Sequence, residues 1–378
     1  MAGVYVHIPF CASRCLYCDF FSTTESAKKE SYVDALLQEM LCRKEEMSAA
    51  QRVETIYIGG GTPSQLSIDN LKRLFDGIYS IYDVNENAEV TIECNPEDVT
   101  ASYAAGLTTL PVNRVSMGLQ TFDNNRLRFL RRRHTSEKSL ESVYLLKEKG
   151  YKNISIDLMF GFPEETPQMW SDDIDKALSL GVPHISAYSL MYEEGTPLTR
   201  LKDSGKINVV DDETMLSMYT LLINKMEDAG YEHYELSNFC LKGTESRHNM
   251  SYWTGKSYIG LGAGAHSYDG VHRRWNITSL DKYIEGVHGG SVYWGSETLS
   301  ATDHFNEYIM TRLRTKKGID IDYLHSSESK DIMTKEFERL LDLHLSAGNL
   351  VEENGRLRLS RKGLYISDSV MSDLFLIN

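Results

Sequence analysis

The chain has 378 residues, of which 41% are hydrophobic and 25% charged, so it is long enough for one large domain and a smaller one. Its formal net charge of −14 argues against a nucleic-acid-binding protein, because phosphate recognition needs a surplus of Lys and Arg. No apolar stretch reaches about 18 residues, and no charged leader with a cleavage site opens the sequence. We therefore expect no membrane insertion and a cytoplasmic location.

Strand-like runs alternate with amphipathic helical segments through the first half of the chain. The predicted strands cover residues 4–8, 53–58, 88–93, 112–117, 153–158 and 184–190. The helical segments, which have apolar residues three and four positions apart, cover residues 29–44, 67–81, 136–149 and 170–180. This alternation predicts an α/β fold with a parallel sheet, arranged either as an open doubly wound sheet or as a full or partial barrel.

The pattern changes in the second half of the chain. A long helix is predicted over 211–229, and a Gly- and aromatic-rich region follows from 231 to 268. From about residue 301, three helices precede a hairpin over 350–359. Asn354-Gly355 supplies the turn of that hairpin, and a last helix ends the pattern.

We expect three units along the chain. They are the partly closed or open α/β sheet at 1–230, an extension at 231–300 and a winged-helix-like α+β domain at 301–378. The charges of the last unit are mixed rather than basic, which does not favour binding to DNA or other nucleic acid.

Chemically distinctive residues stand at the ends of the predicted strands. In chain order they are three cysteines, the run Gly59-Gly60-Gly61-Thr62-Pro63, Glu93, Gln120 and Asp157. The carboxyl ends of parallel strands meet at one edge of a sheet or one mouth of a barrel, so we expect these groups to share one site. The glycine run lets the backbone approach a ligand closely, although a tight turn alone would also explain it.

The three cysteines form the most specific motif, Cys11, Cys15 and Cys18, with three and then two residues between the thiols. Thiolates suit zinc or iron–sulfur clusters, and three of them on one short loop leave a fourth coordination position open. A structural zinc site would normally close with a fourth Cys or His. The remaining cysteines are isolated, at Cys42, Cys94 and Cys240. A cluster is the favoured interpretation, and a zinc protein is the alternative.

The cysteine motif follows a strand and has the aromatic Tyr17 between its last two thiols, and in both respects it resembles the signature of radical S-adenosylmethionine enzymes. The resemblance implies a partial (β/α)6 TIM-like barrel of parallel strands. It also implies a [4Fe–4S] cluster on Cys11, Cys15 and Cys18, whose remaining iron binds the amino and carboxylate groups of S-adenosylmethionine.

The same resemblance implies contacts with S-adenosylmethionine for a set of polar residues and glycines. In chain order they are Tyr5, Tyr17, Gly60, Gly61, Thr62, Glu93, Gln120, Arg132 and Asp157. Arg132 is the best-aligned residue of the basic run 131–133. A buried carboxylate or amide requires a partner, and the competing interpretation is that each caps a helix or pairs across the barrel.

Further segments of the sequence resemble one particular group within this superfamily. Residues 5–11, 59–63, 156–161 and 260–267 together resemble the coproporphyrinogen III dehydrogenase group over nearly the whole chain. That dehydrogenase carries a further cysteine two residues after the last ligand, where this chain has Phe20. Phe20 argues against decarboxylase activity and points to the sister branch, the HemW-type haem chaperones.

A second segment supports that branch. Residues 247–253 resemble the HNxxYW segment of HemW-type proteins, which implies haem contacts by His248, Asn249, Tyr252 and Trp253. An imidazole can bind iron, and aromatic side chains offer apolar faces to a porphyrin. A buried histidine beside packed aromatic rings is the alternative, and His248 is not assigned as an axial ligand.

Two functions follow from the resemblance. The first is a haem chaperone that binds haem and transfers it to acceptor haemoproteins, such as respiratory enzymes of the membrane, with no catalytic residue assigned. The alternative is an oxygen-independent coproporphyrinogen III oxidase that produces protoporphyrinogen IX in haem biosynthesis. The sequence leaves open whether the protein is an enzyme and whether it forms a homodimer.

Overall fold

A twelve-stranded, mostly parallel sheet organises the larger part of the protein. The computed structural model describes residues 2–46, 52–289 and 291–377. The strands are β1 (Ala2–Ile8), β2 (Val53–Gly60), β3 (Val84–Cys94), β4 (Arg114–Gln120), β5 (Asn153–Phe160), β6 (His184–Ser189), β7 (Glu232–Glu235), β8 (Asn238–Cys240), β9 (Tyr258–Leu261), β10 (His266–Tyr268), β11 (His272–Asn276), β12 (Trp294–Thr298), β13 (Ile319–Asp320), β14 (Leu350–Glu353) and β15 (Arg356–Leu359).

Helices cover one face of this sheet and build the C-terminal part of the chain. They are α1 (Lys29–Cys42), α2 (Ile68–Ile81), α3 (Ala101–Leu107), α4 (Asn124–Phe129), α5 (Ser136–Glu148), α6 (Pro167–Ser179), α7 (Pro197–Asp203), α8 (Asp212–Asp228), α9 (Arg247–Trp253), α10 (Leu280–Val287), α11 (Ala301–Leu313), α12 (Ile321–Leu324), α13 (Ser327–Lys330), α14 (Lys335–Ser346), α15 (Arg361–Leu364) and α16 (Ser367–Asp373).

The large sheet has the strand order β12-β11-β10-β9-β1-β2-β3-β4-β5-β6-β8-β7. Strands β9 and β1 to β6 run parallel, and the strands at both edges pair antiparallel. The predicted α/β fold, a partial (β/α)6 TIM-like barrel, is confirmed. Strand β9 adds a parallel neighbour to β1 that no sequence pattern indicated, because four residues are too few to show a periodicity.

The parallel strands alternate between an apolar and a polar face. On the apolar face Val4, Ile56 and Val90 lie in register in neighbouring strands and are buried in the main hydrophobic core. The opposite face carries polar side chains, among them Tyr5, Tyr57, Thr91, Glu93, Ser116 and Ser155. Parallel sheets that pack against helices on both faces have nearly continuous apolar strands. The alternation therefore leaves one face available for polar ligands.

The helices over the apolar face begin at capping residues that the sequence supplies. The side chains of Ser67, Thr135 and Thr166 accept backbone N–H bonds at the starts of α2, α5 and α6. Pro167 occupies the first turn of α6. Because proline is favoured there, α6 begins three residues earlier than the predicted 170.

A buried carboxylate ties α1 to the segment that follows β9. Glu39 accepts bonds from Arg43 at 2.9 Å, from Gly262 N–H at 2.8 Å, from Asn276 at 2.7 Å and from Tyr283 at 2.6 Å. Its side chain is fully buried, and a buried carboxylate is tolerated only when its oxygens are bonded in this way. The network fixes the extension against the barrel.

The C-terminal part has its own hydrophobic cluster and a small antiparallel sheet of order β13-β15-β14. The predicted hairpin turn is confirmed, since Asn354 and Gly355 have φ values of 53° and 72°. This part provides the predicted winged-helix-like α+β domain. Within the described ranges, no helix is both long and apolar enough to cross a membrane.

Candidate functional site at the carboxyl ends of the strands

The cysteine loop follows β1 and is anchored by backbone bonds at both ends and in its middle. Cys11 N–H donates to Thr23 O at 2.9 Å, and Thr23 N–H donates to Pro9 O at 2.7 Å. In the middle of the loop, Leu16 N–H donates to Leu130 O at 3.1 Å. These contacts hold the loop over the mouth of the partial barrel, where the sequence predicted a site.

The three thiols are free and partly exposed, and two of them accept hydrogen bonds. Thr62 Oγ1 donates to Cys11 Sγ at 3.5 Å, and Arg132 Nη1 donates to Cys15 Sγ at 3.6 Å. Burial raises the pKa of Cys11, and it raises the pKa of Cys18 to about 11. The thiolate forms therefore need a bound cation, because coordination to a metal is what deprotonates a thiol of high pKa.

The glycine run passes directly beside the cysteine loop. A Cβ atom at Gly61 would lie 3.0 Å from Cys11 Sγ and 2.8 Å from the backbone carbon of Pro9. Gly60 has a φ of 113°, and a Cβ atom there would lie 2.6 Å from His7 Nδ1. Glycine is therefore required at both positions by close approach, which is the role that the sequence indicated.

Glu93 lies on the polar face next to this run. Its carboxylate accepts a bond from Tyr57 at 2.7 Å and one from Gly60 N–H at 3.1 Å. Burial raises the pKa of Glu93 to about 7, with the nearby Asp157 acting in the same direction. The side chain therefore exchanges a proton near neutral pH, and its oxygens can accept bonds from hydroxyl groups of a ligand. Tyr57 was not identified from the sequence, because a tyrosine in a strand looks like any core residue.

Arg132 links several strand ends. It donates to Asn95 Oδ1 and to Gly118 O, both at 2.7 Å, in addition to its contact with Cys15. Asn95 also donates to Thr62 Oγ1 at 3.2 Å, which connects the third strand end to the glycine run. Asn95 was missed as a site residue, although it directly follows Glu93-Cys94 in the sequence.

Gln120 and Asp157 complete the predicted set at the fourth and fifth strands. Gln120 ends β4 with a φ of 69°, a left-handed conformation that is unusual for glutamine. Burial raises the pKa of Asp157, to which Ser116 donates at 3.4 Å. Arg114, nearby on the polar face, is 2% exposed and its Nε has no hydrogen-bond partner among the described residues. Arg114 is the first residue of β4, so it lies deeper in the barrel than Gln120 at the other end of the strand.

Tyr5 and Tyr17 occupy different surroundings. Tyr17 lies on the cysteine loop beside Cys15, and burial raises the pKa of its hydroxyl. Tyr5 lies deeper on the polar face, where its hydroxyl bonds His7 Nδ1 at 3.0 Å. Its ring also stacks on that of His248 with centroids 6.5 Å apart, so Tyr5 connects the cysteine end of β1 to α9.

Residues 248–253 belong to α9, which lies near the amino ends of β1 to β3, away from the cysteine loop. His248 is 1% exposed, and its ring nitrogens bond Thr55 Oγ1 at 2.8 Å and Tyr252 Oη at 2.9 Å. Burial lowers the pKa of His248 to about 3, so the imidazole is neutral. Both nitrogens are thus engaged within the protein, as the alternative interpretation of a satisfied interior histidine requires.

Asn249, Tyr252 and Trp253 are half-buried around this histidine. Arg314 lies over the Trp253 ring at 4.9 Å, and Trp253 Nε1 is buried without a partner among the described residues. The structure therefore places the predicted site residues at two different ends of the barrel. The cysteines, glycines, Glu93, Gln120, Arg132 and Asp157 share one mouth of the barrel, while residues 248–253 line the other end.

The mouth of the barrel has the donor set that a [4Fe–4S] cluster and S-adenosylmethionine require. Three thiols stand on one loop, and a glycine cradle excludes any larger side chain beside Cys11. Within the described part of the chain, no three His, Cys, Asp or Glu side chains are grouped to hold a single metal ion. The residues present fit the cluster and its cofactor.

Comparisons with known proteins identify families and relatives that the chain resembles. The model of the Radical SAM superfamily matches residues 5–177, and that of the HemN C-terminal domain matches residues 299–366. The chain is 32% identical to the heme chaperone HemW of Lactococcus lactis subsp. lactis (strain IL1403), over 99% of this chain and 97% of that protein. It is 34% identical to the heme chaperone HemW of Bacillus subtilis (strain 168), over 97% of this chain and 95% of that protein.

One solved structure resembles the whole chain. Coproporphyrinogen III oxidase (HemN) from Escherichia coli, a radical SAM enzyme, matches with a TM-score of 0.85 over 99% of this chain and 90% of that chain. The two sequences are 21% identical. This likeness concerns the fold, and it supports the partial barrel with a smaller C-terminal part.

Proposed function

Since the chain belongs to the HemW family of radical S-adenosylmethionine proteins, we propose that it is a haem chaperone, which binds haem and transfers it to acceptor haemoproteins. The observation that carries the proposal is the relationship at 32% and 34% identity over almost the entire chain. Because both the barrel and the C-terminal part are included, the proposal concerns the whole protein rather than one domain. The proposed units are 1–230, 231–300 and 301–378.

We propose that Cys11, Cys15 and Cys18 hold a [4Fe–4S] cluster. When bound, the cluster supplies an iron with an open position for the amino and carboxylate groups of S-adenosylmethionine. The proposed contacts with that cofactor are Tyr5, Tyr17, Gly60, Gly61, Thr62, Glu93, Gln120, Arg132 and Asp157. Among these, Gly60 and Gly61 allow close approach, Glu93 accepts bonds, and Arg132 orients Cys15 and Asn95.

Phe20 favours the chaperone over the oxidase. It stands two residues after Cys18, where the resemblance places a further cysteine in the oxidase, and it is 66% exposed. An apolar ring can neither carry a proton nor donate a hydrogen bond there. The alternative function, oxygen-independent coproporphyrinogen III oxidase, would have to proceed without that thiol.

The predicted haem contacts His248, Asn249, Tyr252 and Trp253 stay a prediction. An iron bond from His248 would cost one of its two hydrogen bonds, to Thr55 or to Tyr252. We propose that His248 instead holds α9 against β2.

We further propose that the protein works in the cytoplasm and meets its acceptors, such as respiratory enzymes of the membrane, transiently. Its six cysteines are free thiols, and the thiolates of a cluster must remain reduced. Nucleic acid is not proposed as a partner, because the chain carries a net charge of −14.

The test starts from protein that has been reconstituted anaerobically with iron and sulfide. Ferric haem is added, and we expect a shifted Soret band that disappears when an apo-haemoprotein takes up the haem. Parallel samples receive reductant, S-adenosylmethionine and coproporphyrinogen III, from which we expect no protoporphyrinogen IX. Porphyrinogen turnover would favour the oxidase, and the absence of any Soret shift would contradict the chaperone.

A further inference from the structure

A cavity beside the cysteine loop has no role in the site described above. Its volume is about 350 Å³, and it is lined by Leu16, Arg131, Pro197, Arg200 and Leu201. This volume lies within the range of roughly 300–1,000 Å³ that is usual for small-molecule sites. Leu16 stands between Cys15 and Tyr17, so the cavity opens next to the proposed cluster ligands.

Three separate segments are joined to build the cavity wall. Leu16 N–H donates to Leu130 O at 3.1 Å, and Leu198 N–H donates to Leu16 O at 3.0 Å. Beneath them lies a hydrophobic cluster, separate from the main core, that includes Phe162 and Leu190. The cavity floor is therefore apolar and held by backbone bonds rather than by mobile side chains.

Two arginines flank this apolar floor. Neither Arg131 nor Arg200 forms an ion pair with a residue that the structure describes, although the chain carries 54 acidic residues. Arg200 is held by bonds from its guanidinium to Gly195 O at 3.0 Å and to Thr196 O at 3.5 Å. Arg131 has a φ of 62°, because it is the left-handed residue that ends α4, where Arg132 N–H donates to Leu127 O at 2.9 Å.

We infer that this cavity binds the edge of the haem that carries the two propionates. The macrocycle contacts Leu16, Pro197 and Leu201, and the carboxylates pair with Arg131 and Arg200. An apolar floor between two unpaired guanidinium groups is complementary to a flat apolar dicarboxylate, since arginine pairs with carboxylates through two parallel bonds. The inference rests on the proposed function and gives haem a place next to the cysteine loop rather than at α9.

The test is a haem titration of the reconstituted protein, followed by the Soret band. The variant is the double substitution Arg131→Asn and Arg200→Gln, in which asparagine tolerates the left-handed backbone and glutamine keeps a donor for the loop carbonyls. We expect each substitution to weaken haem binding about tenfold and both together about a hundredfold. The matched controls are Arg128→Gln on α4 and Lys202→Gln on α7, exposed cations outside the cavity, and we expect unchanged affinity.

Binding of haem dimethyl ester distinguishes the loss of propionate recognition from general damage to the fold. The ester keeps the ring and the iron but lacks both carboxylates. We expect the wild-type protein to bind the ester as weakly as the double variant binds haem, and the double variant to bind both ligands equally. If the double variant fails to retain its cluster absorption, Arg200→Gln alone is used, because Arg200 is exposed on α7.

The outcomes distinguish this inference from the proposed function. Equal haem affinity in the wild-type protein and the double variant would overturn the inference, and so would an equal loss of affinity for haem and for its ester. If Trp253→Ala loses haem binding while the arginine double variant retains it, haem binds at α9 and the inference is overturned. Failure of the wild-type protein to bind haem at all would overturn the proposed function instead.

Discussion

Replacing Gly61 by alanine should prevent the cysteine loop from holding its cluster. The added Cβ atom would lie 2.8 Å from the carbon and 2.9 Å from the oxygen of the Pro9 backbone, and 3.0 Å from Cys11 Sγ. Carbon atoms in contact normally stand about 3.5–4.0 Å apart, so the two backbones must separate by roughly 0.5–1 Å. Because backbone atoms are involved, no side-chain rotation relieves the contact.

The expected size of the effect follows from that displacement. Overpacking a tight contact costs about 1–3 kcal/mol, which reduces the stability of the protein without unfolding it. A metal site, however, tolerates displacements of only about 0.5 Å in its ligands. We therefore expect Gly61→Ala to fold, to unfold at a lower temperature and to retain little iron.

Anaerobic reconstitution gives the measurement, as iron and sulfide per chain together with the visible absorption of the cluster. The matched control is Gly77→Ala on α2, where the added Cβ atom would meet only the ends of the Leu37 and Met40 side chains. Those flexible ends can move, so iron content should equal that of the wild-type protein. Wild-type iron and absorption in Gly61→Ala would refute the reasoning that the glycine run and the cysteine loop form one rigid site.

Three further changes probe the thiols, the polar face and the core. Cys15→Ser should abolish the visible absorption and the bound iron, while Cys42→Ser, which removes an exposed thiol, should change neither; equal loss in both variants would point to general damage. The pKa of Glu93 is raised from its ordinary value of 4.5 to about 7, so its stabilising contribution is present below pH 4.5 and is lost as the pH rises through 7. Glu93→Gln should remove this decline in the free energy of unfolding, measured by urea unfolding of the cluster-free protein at pH 4 and pH 8. Relative to the wild-type protein, the variant should be more stable at pH 8 than at pH 4 by up to about 3 kcal/mol. Equal pH dependence in the two proteins would contradict the assignment. Glu39→Ala should destabilise the fold by about 3–5 kcal/mol, because it removes the buried ion pair with Arg43 and leaves the Gly262 N–H and the Tyr283 hydroxyl without their acceptor. The exposed Glu45→Ala should leave the thermal midpoint unchanged, and an equally stable Glu39→Ala protein would show that the network does not hold the extension.

The sequence alone predicted the features that depend on local pattern. Alternating strand and helix periodicities indicated the parallel sheet, and Asn354-Gly355 indicated the hairpin turn. Because parallel strands present their carboxyl ends together, the sequence predicted that the cysteines, the glycine run and Glu93 lie at one mouth of the barrel. Polar residues in otherwise apolar strands were informative because burial of a lone polar group is costly.

Short strands and residues whose partners are distant in the sequence could not be predicted from local patterns. Strand β9 has four residues and pairs with β1 only because the chain returns across more than 200 positions. Asn95 and Tyr57 join the site through bonds to Thr62 and Glu93, residues from other strands. Their side chains carry no local signal, since the partner that gives each one its role is distant in the sequence.

The segment 248–253 shows most clearly what the sequence and the fold each determine. The sequence determined which residue types occur there. Only the tertiary structure determined that both ring nitrogens of His248 form hydrogen bonds, one with Thr55 and one with Tyr252. The cavity between Arg131 and Arg200 likewise depends on the tertiary structure, because it forms where residue 16, residue 131 and residues 197–201, which are distant in the chain, meet. A sequence determines local conformation and chemistry through near neighbours, whereas the availability of a ligating atom depends on long-range contacts that exist only in the folded chain.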